Sequence, residues 1–84
     1  MASFLLEIYT PGPAALALDR LTAQARAAAE HAAQAGLEVR HVRSFITPGD
    51  QVCFHVFEAP SAETLTRMSE LAHFDHERIT EVIE

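Results

Sequence analysis

Lysine and tryptophan are absent from these 84 residues, cysteine occurs once, at Cys53, and there are only three glycines. A lone thiol excludes an intramolecular disulfide. A domain this small is then left with metal binding or self-association as its reinforcement. Without lysine, the positive charge rests on six arginines, at 20, 26, 40, 43, 67 and 78, scattered among twelve acids for a net charge of −6. No basic surface follows, so a nucleic-acid partner is not expected. The first apolar run ends at Glu7 and has no positive segment before it. It reads as neither a signal peptide nor a membrane anchor, and no membrane partner is expected. A lone thiol with no export signal reads as cytoplasmic. No glycine-rich loop precedes a helix, so a phosphate cradle is lacking. With no oxyanion donor or leaving-group acid in view, hydrolysis is not argued for, and the chain reads as non-catalytic. What is present, 49% hydrophobic residues, excludes disorder.

Residues 3–9 (SFLLEIY) form a strand pattern that stops at Thr10-Pro11-Gly12-Pro13. An alanine-rich stretch over 14–35 follows, with Leu18, Leu21, Ala25, Ala28 and Ala32 at helical spacing. Pro13 suits its first turn and Gly36 the left-handed position after its last. Strands over 38–47 and 51–58 are joined by Pro48-Gly49-Asp50. Ser61 then caps a second helix with Glu63 in its first turn and Leu65, Met68, Leu71 and Ala72 on its apolar side. A connector, His73-Phe74-Asp75-His76, leads to a last strand over 78–84. The order β-α-β-β-α-β predicts one α+β domain over residues 1–84, with a ferredoxin-like four-stranded antiparallel sheet and both helices on one face.

The central hairpin decides which side chains share the open face. A three-residue loop, with Gly49 or Asp50 left-handed, places Phe45 opposite Cys53 and Arg43 opposite His55. The helix-covered core then holds Phe4, Leu6, Ile8, Leu21, Val42, Ile46, Val52, Phe54, Val56, Leu65 and Met68. The open face collects Leu5, Glu7, Tyr9, His41, Arg43, Phe45, Cys53, His55 and Phe57. Such a face is too apolar for bulk water and too polar for a dry core. A second copy closing over it, with a cavity between, accounts for both properties.

On that face Glu7, His41, Cys53 and His55 form a candidate metal set of one carboxylate, two imidazoles and a thiol. Imidazole and thiolate suit nickel, zinc or copper, and a carboxylate can complete the shell. Cys53 and His55 stand two apart on a strand, about 6.5–7 Å at the backbone, and point the same way. A plain reading stands beside this one. In it Glu7 pairs with Arg43, Cys53 packs as a small apolar residue and the histidines are polar cavity groups. His73, Asp75 and His76 make a second, incomplete candidate, His73 also suiting the carbonyl end of the second helix. His31 reads as surface.

The segments FLLEIYTPG (4–12), VRHVRSFITPGD (39–50), VCFHVFEAPSAE (52–63) and ERITEV (77–82) resemble a family of small nickel-binding, ferredoxin-like bacterial proteins. The run C-x-x-x-F-E-A-P-S before a helix is a fairly specific element of that resemblance. The resemblance implies a homodimer in which two sheets face each other as a dimeric α+β barrel. It also implies metal sites in the barrel interior, nickel as the preferred divalent ion, and no established enzyme activity. Several relatives carry a histidine where Arg43 stands and a cysteine where His55 stands. Arg43 cannot ligate a cation, so Arg43→His is expected to strengthen binding, with Cys53 and His41 compensating in this chain. Two other functions compete with metal binding. One is a dimeric α+β barrel oxygenase using Arg43, Glu7 and Tyr9; the other is a small-ligand regulatory module signalling through dimerisation.

Overall fold

The computed structural model describes residues 1–10 and 12–84; Pro11, part of the expected breaker run, lies outside the described residues. The elements run β1 (Ala2–Tyr9), α1 (Ala14–Gln34), β2 (Arg40–Thr47), β3 (Val52–Ala59), α2 (Ala62–Ala72) and β4 (Arg78–Val82). The sheet order is β2-β3-β1-β4, with every neighbouring pair antiparallel. This is the ferredoxin-like arrangement that the element order predicts.

Local chemistry sets the helix ends. Gly36 adopts φ +89°, and its N–H and that of Leu37 bond to Ala33 and Ala32 carbonyls, each at 3.0 Å. These two bonds satisfy carbonyls that the last turn of α1 leaves free, and they fold Leu37 back onto the core. Ser61 Oγ accepts from the Thr64 N–H at 3.3 Å, capping α2 as expected. The buried stripe of α1 is Leu21, Ala25, Ala28, Ala29 and Ala32. Its small side chains bring α1 close to the sheet, where it meets Phe4 and Leu6 of β1 and Leu65 and Met68 of α2.

The central hairpin departs from the expected register. Thr47 opposes Val52, so the loop has four residues, 48–51, and Gln51 (φ 53°), rather than Gly49 or Asp50, is the left-handed one. Phe45 therefore stacks on Phe54, with ring centroids 5.2 Å apart, and Ser44, not Arg43, stands opposite His55. Across β1, Ile8 opposes Cys53, Leu6 opposes His55 and Phe4 opposes Phe57. Directly opposed residues share a face, so Cys53, His55 and Phe57 lie beneath the helices, where all three are fully buried. Val52, Phe54 and Val56 take the open face with Leu5, Glu7 and Tyr9. A one-residue change of pairing exchanges the two faces of a strand. On β3 both faces carry bulky apolar residues, so hydrophobic alternation did not forbid the exchange.

A bulge between His41 and Arg43 adds a second departure. Residues two apart normally share a face, but the extra residue sends His41 toward Phe57 under the helices and Arg43 toward Val56 on the open side.

Candidate functional site

Beneath α1, the sheet brings together three of the four predicted ligands. His55 Nε2 lies 3.7 Å from Cys53 Sγ, and its Nδ1 lies 2.5 Å from Ser44 Oγ. Ser44 Oγ also meets His41 Nε2 at 2.9 Å. The His41 and His55 rings lie edge-on, with centroids 6.1 Å apart, and Phe57 and Phe74 wall them in. Glu7 is not part of this group. It stands on the other face of the sheet, opposite Phe54 on one side and Arg78 on the other. The predicted face-sharing of Glu7 with Cys53, His55 and His41 is thus corrected by the four-residue loop and the bulge.

Burial sets the protonation of the group. Removal from water, with His41 close by, lowers the pKa of His55 from the usual 6.5 to about 4. Burial and then the positive charge of Arg26 also lower that of His41. Burial raises the Cys53 thiol. Near neutral pH the cluster is therefore two neutral imidazoles, a hydroxyl and a protonated thiol, and the imidazoles keep lone pairs available.

The donor pair suits a borderline ion in chemistry and in spacing. Metal–nitrogen and metal–sulfur bonds of about 2.0 and 2.3 Å at a tetrahedral angle separate the two donors by about 3.5 Å, close to the 3.7 Å observed. Among the described residues no group of three or more His, Cys, Asp and Glu side chains is gathered closely enough to hold a metal. One chain thus offers two adjacent ligand positions rather than a closed shell.

The second candidate is not assembled. His73 is the left-handed residue ending α2, and His76 Nδ1 bonds to Ser69 Oγ at 3.0 Å. A groove of about 590 Å³ between the helices is lined by Ile8, Leu21, His31, His73 and Phe74 among others, with none of Cys53, His55 or His41. On the open face Arg40 Nε and Nη2 donate to Glu58 Oε1 at 2.9 and 2.6 Å, and Arg43 donates to Glu84. Arg43 is thus remote from His55 in both face and partner, and its expected opposition to a bound ion does not hold. Two further residues of the site, half-buried Ser44 and buried Phe74, are of types that do not mark a metal ligand. The signal that could find Ser44 is its place opposite His55 once the loop has four residues.

The fold and the site together define a ferredoxin-like α+β protein with a thiol–imidazole pair buried between sheet and helices. The model of the nickel responsive protein SCO4226-like family matches residues 5–82, and the chain belongs to that family. The crystal structure of SCO4226 from Streptomyces coelicolor A3(2) is similar, with a TM-score of 0.70 and 27% identity over 96% of this chain and 95% of that one. No curated protein matches the chain. Among the described residues no helix is long and apolar enough to cross a membrane.

Proposed function

We propose that this protein is a non-catalytic binder of a divalent transition-metal ion, nickel preferred, acting as a homodimer. The observation that carries the reading is the buried Cys53–His55 pair, whose 3.7 Å separation matches the bite of a single ion. Membership of a nickel-responsive family supports the choice of metal. Cys53 and His55 would hold the ion, which would replace the thiol proton and so release it on binding. His41 stands behind them through Ser44. Glu7, on the other face of the sheet, is not among the ligands.

The homodimer forms through the open sheet face, two sheets closing as an α+β barrel. Support comes from Tyr9 and Phe45, 59% and 40% exposed, beside half-buried Leu5 and Phe54. An exposed apolar patch rimmed by ion pairs is the usual mark of an interface. In this arrangement the metal pair lies outside the barrel interior, on the far side of each sheet.

Nickel(II) and cobalt(II) titrations test the site through the thiolate-to-metal charge-transfer absorption. The band is expected in the wild type and in Glu7→Ala, and is expected to vanish in Cys53→Ser and His55→Ala proteins that circular dichroism shows to be folded. A band that persists in Cys53→Ser overturns the site. Light scattering at micromolar concentration is expected to give twice the chain mass, and a stable monomer there overturns the dimer.

A further inference from the structure

Ser44 has one hydroxyl proton and two imidazoles to satisfy. Its Oγ lies within hydrogen-bond distance of both His55 Nδ1 and His41 Nε2, at 2.5 and 2.9 Å. A hydroxyl donates once and accepts up to twice. If both rings donated, its proton would have no acceptor among the described contacts of Oγ, so the proton is used only when one ring donates to Oγ and the other accepts from it. Two neutral rings held this way have just two joint arrangements. In the first, His55 Nδ1–H donates to Ser44, Ser44 donates to His41 Nε2, and the His55 Nε2 lone pair faces Cys53 Sγ. In the second, His41 Nε2–H donates to Ser44, Ser44 donates to His55 Nδ1, and His55 Nε2–H points at the sulfur.

Only the first arrangement leaves a lone pair between His55 and Cys53. It also commits the His41 Nε2 lone pair to the serine hydroxyl and puts the remaining His41 proton on Nδ1. His41 then has no free lone pair on either nitrogen.

We infer that Ser44 is a positioning residue that couples the tautomers of His41 and His55, holding His55 Nε2 open toward Cys53 and keeping His41 as the end of a relay rather than a ligand. For its use the coupling rests on the proposed metal function. Its existence is a property of the metal-free protein. Metal-ligating histidines characteristically donate their second ring N–H to a carboxylate, a backbone carbonyl or water, a place that the Ser44 hydroxyl takes here. Loss of such a partner typically weakens metal affinity about 10–100-fold.

Long-range proton–nitrogen NMR of the ¹⁵N-histidine-labelled, metal-free protein reads both tautomers directly. In the wild type each ring is expected to hold one tautomer with its proton on Nδ1; a proton on Nε2 of either His55 or His41 overturns the inference. Ser44→Ala is expected to release both rings into mixed tautomers, while Ser44→Thr, which keeps a hydroxyl on a β-compatible side chain, restores them. Unchanged His41 and His55 tautomers in a folded Ser44→Ala protein overturn the coupling. Zinc(II), a diamagnetic probe, is then titrated into the same samples. His55 Nε2 is expected to take the metal-bound shift and His41 neither of its nitrogens, with affinity about 10–100-fold lower in Ser44→Ala. A metal-bound shift on His41 overturns its relay role. If zinc does not bind the wild type, the nickel and cobalt titrations decide the metal function, and the metal-free tautomers still decide whether Ser44 couples the two rings.

Discussion

Phe57→Ala is the substitution that most directly tests which face of β3 lies under the helices. Phe57 is fully buried, its ring centroid 5.4 Å from that of His41, 6.2 Å from that of Phe74 and 6.3 Å from that of His55. Removing it takes the aromatic surface out of the core and leaves a cavity that stiff neighbours fill poorly, a loss of about 3–5 kcal/mol. A chain of this length has a total stability of roughly 4–13 kcal/mol, so the variant approaches global unfolding. At about 4–8 °C per kcal/mol, the melting temperature should drop by at least ~12 °C. Phe54, three residues earlier on the strand, is half-buried on the open face and stacks on Phe45. Its truncation loses part of that burial and one aromatic contact, about 1–2 kcal/mol. Thermal and urea melts followed by far-ultraviolet circular dichroism compare the two. They are run over a dilution series, because association through the open face would add stability that Phe54 shares. At the lowest concentration, a Phe54→Ala protein as damaged as Phe57→Ala would refute the register.

Three more expectations follow from the same structure. His55 has a folded pKa of about 4 against the usual 6.5, so the unfolded chain takes up its proton first as the pH falls. Stability that is fully present above about pH 6.5 should then decline toward pH 4, by roughly 3 kcal/mol. His41 shifts in the same direction, and urea unfolding from pH 8 to 4 should show a shallower slope in folded His55→Asn, equal slopes contradicting the linkage. Gly36→Ala introduces a Cβ that meets no atom within 4 Å but must sit at φ +89°. The loss is therefore backbone strain alone, about 1 kcal/mol, seen as a melting temperature lowered by about 4–8 °C; an unchanged value would mean the α1 terminus relaxes. Arg43→His should leave nickel affinity unchanged by calorimetry, because Arg43 faces Glu84 on the open side; tighter binding would return it to the neighbourhood of His55.

What was legible in the chain was local. Leu21, Ala25, Ala28 and Ala32 recur at the helical period, Gly36 marks a left-handed terminus, and Ser61 lies where a helix needs an oxygen acceptor. Each signal is complete within a few residues, so element order and fold class could be read directly. The faces of β1 were also legible, because Phe4, Leu6 and Ile8 alternate with Glu7 and Tyr9 and only one set suits a core. On β3 the alternation carries no such bias: Val52, Phe54 and Val56 are as apolar as Cys53 and Phe57. Its parity then depends on loop length, and the four-residue loop turns on Gln51 at a positive φ, a residue type with no marked preference for that conformation. The bulge at His41 has no local mark either, since no glycine or proline stands there. One extra residue in the turn is enough to carry Cys53 and His55 to the other face, and the bulge carries His41 there as well. Cys53 and His55 change face through the turn and His41 through the bulge, so the three remain close to one another. Glu7, placed by a different strand whose parity was already right, did not move with them, so the carboxylate was lost from the set while the thiol–imidazole pair was kept. Ser44 entered by the same shift, taking the position opposite His55 that the shorter loop had assigned to Arg43. A fixed positive charge beside the pair is thereby replaced by a neutral hydroxyl, which removes the electrostatic objection to a cation there and supplies the hydrogen-bond partner that a ligating imidazole requires.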